Sequence, residues 1–170
     1  ERALNAQRER SKTASKGMFK GGLSDTSNQT IKYHTACHLL LAALQQEIDP
    51  SINQKGSNLT PERLRFDFNI DRKLTPEELK KVEDRVNAWI AADLQVVFAE
   101  YEKDFAFDKL HAHGSFRDRY PDRVTVYAIG TGTPEDAPDT MDTGLVSIEI
   151  CGGPHVSHTG ELGHFRITKE

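Results

Sequence analysis

Two short motifs hold the residues best suited to chemistry. His34-Thr35-Ala36-Cys37-His38 sets two imidazoles four positions apart, and Cys151-Gly152-Gly153-Pro154-His155 sets a thiol at the same spacing from a third. At i,i+4 on a helix, the first two imidazoles share one face about 6 Å apart and can share one ion. The second motif follows an apolar run, and its two glycines let the backbone fold tightly around an ion. Three His and one Cys match zinc in ligand type and number. Either motif alone is a weak signal, because isolated histidines more often simply pack. Zinc proteases of the His-Glu-x-x-His kind carry a glutamate base where this chain has Thr35, so a Zn2+ site without a protease base is expected. Cys37 lies one turn inside the same helix, so its side chain should lie near the site; a small buried core residue is the alternative. His111, His113, His158 and His164 lack such spacing and read as surface or packing residues.

These residues need a scaffold. A helix is expected from Ser27 or Asn28 to about Glu47, apolar on more than one stripe, with Asp49-Pro50 stopping it. Leu64, Phe66 and Phe68 alternate with polar residues as a half-buried strand. Thr75, Pro76 and Glu78 then form a capping box, followed by Leu79, Val82, Val86 and Ile90 at helical spacing. Residues 94–99, 124–129 and 145–150 read as strands, with a Pro/Asp/Thr-rich mobile loop over 130–144. The order α-β-α-β-β-β predicts an α+β fold, an antiparallel-rich sheet packed with helices.

The 170 residues suit one domain with a short appendage. No apolar run approaches the roughly 20 residues of a membrane span, and two cysteines 114 positions apart cannot build a disulfide framework. A cytoplasmic, reducing setting is the expectation. Net charge is −4, yet residues 1–20 hold six basic residues against Glu1 and Glu9. A basic arm on an acidic body could touch phosphates locally, although solvated charge is the simpler reading.

With these motifs in hand, the sequence resembles the editing domain of alanyl-tRNA synthetase, which is also the core of free-standing AlaX-type trans-editing proteins. The stretches that carry the resemblance are Phe19-Lys20-Gly21-Gly22-Leu23, the His34 motif with Leu39-Leu40, and Gln54-Lys55-Gly56-Ser57. Arg63-Leu64-Arg65-Phe66-Asp67-Phe68 and the Cys151 motif through Gly163 complete it. They span roughly 17–170, and residues 1–16 resemble the synthetase segment leading into this domain, as in an excised fragment.

The resemblance implies hydrolysis of the ester joining Ser or Gly to tRNA(Ala). Physics makes a second site necessary, since a pocket for Ala cannot exclude Gly and rejects an added hydroxyl only about 100-fold. It further implies that His34, His38, Cys151 and His155 hold zinc and that Gln54 lines the aminoacyl pocket with Ser57 close by. The alanyl branch usually has Thr where this chain has Cys37; Cys37 and Pro154 are features shared with the threonyl branch. Lys16, Lys20, Arg63 and Arg65 are the candidates for phosphate contacts to the acceptor end, and the other synthetase domains are expected partners. Four protein ligands normally mark a closed site, so catalysis on the ion would require one, His155 being the first candidate, to sit loosely or be displaced; alternatively the zinc only shapes the pocket and a water held by Gln54 and backbone groups attacks. The alternatives are a free-standing trans-editing deacylase and a non-catalytic, zinc-stabilised tRNA-binding module.

Overall fold

The computed structural model of the chain describes residues 27–133, 135 and 144–170. Lys16, Lys20, the lead-in segment, the 19–23 turn and most of the 130–144 loop lie outside the described residues.

Helix α1 (Asn28–Glu47) begins where the Ser27 side chain accepts from the Thr30 amide. Every residue from 34 to 44 is buried, so the helix forms the axis of the domain rather than a surface stripe. Strands β1 (Gln54–Leu59) and β2 (Leu64–Phe68) pair antiparallel, with Leu59 fully buried beside the turn. Helix α2 (Pro76–Ala91) carries the expected capping box and buries Val82, Val86, Trp89 and Ile90, while Lys80 and Asp84 pair at 3.0 Å on its wet face.

The second sheet is antiparallel, in the order β3 (Gln95–Glu102), β4 (Arg123–Gly130), β5 (Leu145–Ile150). Its two faces serve different cores. Val96 and Ile129 pack with α1 and α2, whereas Val124, Val126 and Ile150 pack with Ala106, Leu110 and Ala112 around the short helix α3 (Lys103–Asp108). Alternate side chains of a strand point to opposite faces, so Tyr127 and Glu149 stand on the α1 side. The tail is tied along α2 by paired Asn87–Phe165 hydrogen bonds, each 2.8 Å, and by the Ile167 amide to Glu83 at 2.8 Å.

The expected α+β class and antiparallel pairing are present, and three details differ. The strands form two sheets because Gln54–Leu59, with one apolar residue, pairs with β2. Residues 103–108 are helical, and β3 runs on to Glu102. Among the described residues no helix is long and apolar enough to cross a membrane.

Candidate metal centre

Helix α1 brings His34 and His38 to one face, and the chain leaving β5 brings Cys151 and His155 against them. One ligand atom from each of the four lies within 4.8 Å of all the others. Cys151 Sγ is 3.3 Å from His34 Nε2 and 3.4 Å from His155 Nε2. A tetrahedral zinc with bonds of about 2.0–2.3 Å sets ligand-to-ligand edges near 3.3–3.6 Å, and the two separations from Cys151 Sγ match such edges.

Two of the rings are oriented by partners that fix their tautomers. His34 Nδ1 donates to the Pro154 carbonyl at 2.9 Å, because a carbonyl can only accept; this leaves the Nε2 lone pair facing the cluster. His155 Nδ1 lies 3.0 Å from Thr35 Oγ1. That hydroxyl also accepts from the Val156 amide at 3.1 Å and donates to the Ile31 carbonyl at 3.4 Å. With its only proton committed to Ile31, Thr35 accepts from His155 Nδ1–H, and His155 Nε2 is likewise free to ligate. The third ring, His38, has a buried Nδ1 without a hydrogen-bond partner among the described residues. A buried orphan nitrogen is costly unless something completes it. The residues therefore fit a metal.

The electrostatics agree. Burial lowers the His34 pKa against the opposing effect of the Pro154 carbonyl. Burial, and then the neighbouring imidazoles, hold His38 and His155 well below the usual histidine range. Burial pushes the Cys151 thiol up to about 12, with the Gly153 amide opposing and Glu149 adding to the rise. The metal-free site thus holds neutral imidazoles, the ligating form, and a thiol whose proton an incoming cation must displace. Cys37 is buried at the same place: burial, then Glu149 and Cys151, raise its thiol pKa, leaving it inert as a nucleophile.

Glu149, Tyr127 and Thr35 complete the surroundings, and sequence reasoning assigned none of them a role. Glu149 Oε2 lies 3.3 Å from His38 Nε2, and burial pushes its carboxyl up to about 8. The available signal was the lone charge in the run Leu-Val-Ser-Ile-Glu-Ile. Tyr127 stands edge-on to His155 with ring centres 4.4 Å apart, and a Cβ at Gly153 would collide with its hydroxyl. Close approach here requires glycine, which also has a positive φ of 67°.

The other expected residues lie elsewhere. Gln54 and Ser57 stand half-buried on β1, opposite Phe68 and Phe66, on a different sheet from Tyr127 and Glu149. Arg63 and Arg65 are exposed, Arg65 pairing with Asp67 at 3.3 Å. Both line a groove of about 910 Å³ along another face of α1, beside Lys32, Tyr33, Phe66 and Arg166. None of the four clustered residues lines this groove. His113 packs against β5, where its amide donates to the Ile148 carbonyl at 2.9 Å, and His158 pairs with Asp93 at the surface.

Comparison with known proteins places the chain. Residues 124–170 match the family described as the threonyl and alanyl tRNA synthetase second additional domain. All 170 residues align at 45% identity with an alanine–tRNA ligase of Borrelia hermsii, covering 26% of that protein. A Treponema denticola alanine–tRNA ligase is 44% identical over 168 residues, 99% of this chain and 26% of that protein. A Herpetosiphon aurantiacus alanine–tRNA ligase is 44% identical over 141 residues, 82% of this chain and 16% of its own length. The chain thus spans about a quarter of the length of the first of these relatives. The alignment over its whole length and the family match across the Cys151 motif agree that the chain is a domain of the alanyl-tRNA synthetase type.

Proposed function

We propose that this domain, residues 17–170 behind a lead-in segment of a longer synthetase, removes wrongly attached Ser or Gly from tRNA(Ala). The observation that carries the reading is a buried three-histidine, one-cysteine cluster in which His155 alone is only half-buried. A reacting group can approach from that side, while α1 and β5 close the others.

His34, His38, Cys151 and His155 would hold zinc. When bound, the ion supplies Lewis acidity, polarising an ester carbonyl or acidifying a water. The chain's own residues do the positioning. Thr35 and the Pro154 carbonyl fix the His155 and His34 rings, and Tyr127 excludes water from one flank of His155. Cys37 offers only a weak hydrogen-bonding partner to a serine hydroxyl, so reading of that group falls more on Gln54 and Ser57. In the net reaction water adds its oxygen to the acyl carbon, the acyl–ribose bond breaks, and the ribose oxygen takes a proton. Phosphate contacts fall to Arg63 and Arg65 along the groove and to Lys16 and Lys20. At net charge −4, affinity for tRNA should be modest, salt-dependent and supplemented by tethering within the parent synthetase.

The test is deacylation of Ser-tRNA(Ala) by this chain with and without a zinc chelator, with circular dichroism followed in parallel. Chelator-sensitive hydrolysis with the fold intact supports the reading. The convergence of four protein ligands favours a second reading, a closed structural site in a non-catalytic tRNA-binding module. Zinc-loaded, folded protein without hydrolysis would select it.

A further inference from the structure

On β3, Phe98 is 64% exposed, although it lies on the side of the sheet that faces α1. Its register explains the position. Phe98 pairs directly with Tyr127 on β4, and Tyr127 pairs directly with Glu149 on β5. Directly opposed residues share a face, so the three side chains form one row across the sheet. The row runs from solvent to the metal cluster. Glu149 touches His38, the Tyr127 ring is 4.4 Å from His155, and the Phe98 ring is 5.0 Å from Tyr127 at an interplanar angle of 32°. Two ring-to-ring steps therefore link the half-buried ligand to an open aromatic face.

The chemistry of this shelf is specific. Strand β3, Gln-Val-Val-Phe-Ala-Glu-Tyr-Glu, has no Lys or Arg, so it offers no cationic partner to a phosphate. Its acidic residues, Glu100 and Glu102, repel one. A flat apolar ring backed by a second ring suits the face of a nucleobase, whose stacking needs no charge and tolerates any base. The other exposed Phe rings among the described residues are differently placed: Phe116 has Arg119 over its face at 5.3 Å, and Phe105 stacks on Tyr101 at 5.6 Å, on the face occupied by α3.

We infer that Phe98, supported by Tyr127, is the stacking platform for the terminal nucleobase of the nucleic acid whose ester is presented to the metal cluster. This inference rests on the deacylase reading and deepens it by naming the group that positions the last nucleotide. Stacking places the base beside the cluster while the ribose carries the ester towards His155. Phe98 acts through substrate position and takes no part in bond breaking.

The experiment compares wild type, Phe98→Ala, Phe98→Leu and Phe98→Trp, each checked for zinc content and circular dichroism. With Ser-tRNA(Ala), Phe98→Ala should raise KM about tenfold or more and leave kcat within about twofold, and Phe98→Trp should restore wild-type behaviour. The KM effect should persist at raised salt, because stacking is uncharged. A second readout needs no turnover: an uncharged minihelix ending in a fluorescent adenine analogue should lose fluorescence on wild type and on Phe98→Trp, but not on Phe98→Ala. If wild type shows this loss without any deacylation, the deacylase reading fails while the platform stands. Identical fluorescence and KM in wild type and Phe98→Ala would overturn the platform. So would full activity of Phe98→Leu, which marks an apolar face covered by another domain.

Discussion

Histidine occurs in two clusters that obey opposite electrostatics. Against α1, three imidazoles and a thiol are buried together, and desolvation lowers the imidazole pKa values. At the end of α2, exposed His158 pairs with Asp93, and the hydrogen bond to that carboxylate raises the histidine pKa. Glu161 joins this second cluster by accepting from the Ser157 amide at 2.9 Å. A cationic imidazole cannot ligate a metal, so the first environment prepares a ligand and the second prepares an ion pair. The same residue type thus serves chemistry or local structure according to what surrounds it.

Removing a ligand should have the largest effect on this contrast. Cys151→Ala or His38→Ala should abolish stoichiometric zinc binding in calorimetry, and tight one-to-one binding by either variant would break the assignment. Thr35→Val comes next. It leaves His155 Nδ1–H and the Val156 amide without their acceptor, costing about 1–3 kcal/mol in denaturant unfolding and about 10–100-fold in zinc affinity. Thr35→Ser, which keeps the hydroxyl, should recover most of both losses.

Glu149 sharpens the comparison through pH. Its carboxyl has an ordinary value of 4.5 and is raised by burial to about 8, so the folded state favours the protonated form. Its contribution to metal-free stability is complete below 4.5 and is lost as pH rises through about 8. Chelator-treated Glu149→Gln should therefore gain stability relative to wild type as pH rises, and a difference independent of pH between 5 and 9 would contradict this. The smallest effect belongs to the surface pair. His158 is raised from 6.5, so its contribution is present below that value and lost as pH rises through the folded one; Asp93 is lowered from 3.8, so its contribution is present above that value and lost as pH falls through the folded one. Asp93→Asn should lower Tm slightly, most between those two reference values, and leave zinc binding unchanged.

Much of the scaffold was legible because local signals agreed with the final packing. The helix bearing His34 and His38, the Thr75–Glu78 capping box and the three strands of the second sheet follow from periodicity and caps. Strand β1 was not legible, since Gln-Lys-Gly-Ser-Asn-Leu shows no alternation and becomes a strand only by pairing with β2. Helix α3 was hidden for the opposite reason: Phe105 and Phe107 alternate as in a strand, and burial of Ala106 against β4 settles the matter. Spacing alone brought out the four clustered residues, whereas Gln54 and Ser57 came from family resemblance and stand on the other sheet. Glu149 stood out only as the lone charge of its strand, and Tyr127 and Phe98 became visible only through cross-strand register, which no single segment encodes.

The partners that meet at the cluster lie far apart along the chain. His34 and Cys151 are separated by 117 positions, and Thr35 and His155 by 120. During synthesis the helix half of the site waits, incomplete, until the Cys151 motif has been made. Closing a loop of that length carries an entropy cost that contacts within either motif alone do not offset. An ion bound there would act as a latch: it would slow unfolding far more than it would speed folding, and the lifetime of the folded domain would become a measure of the metal supply.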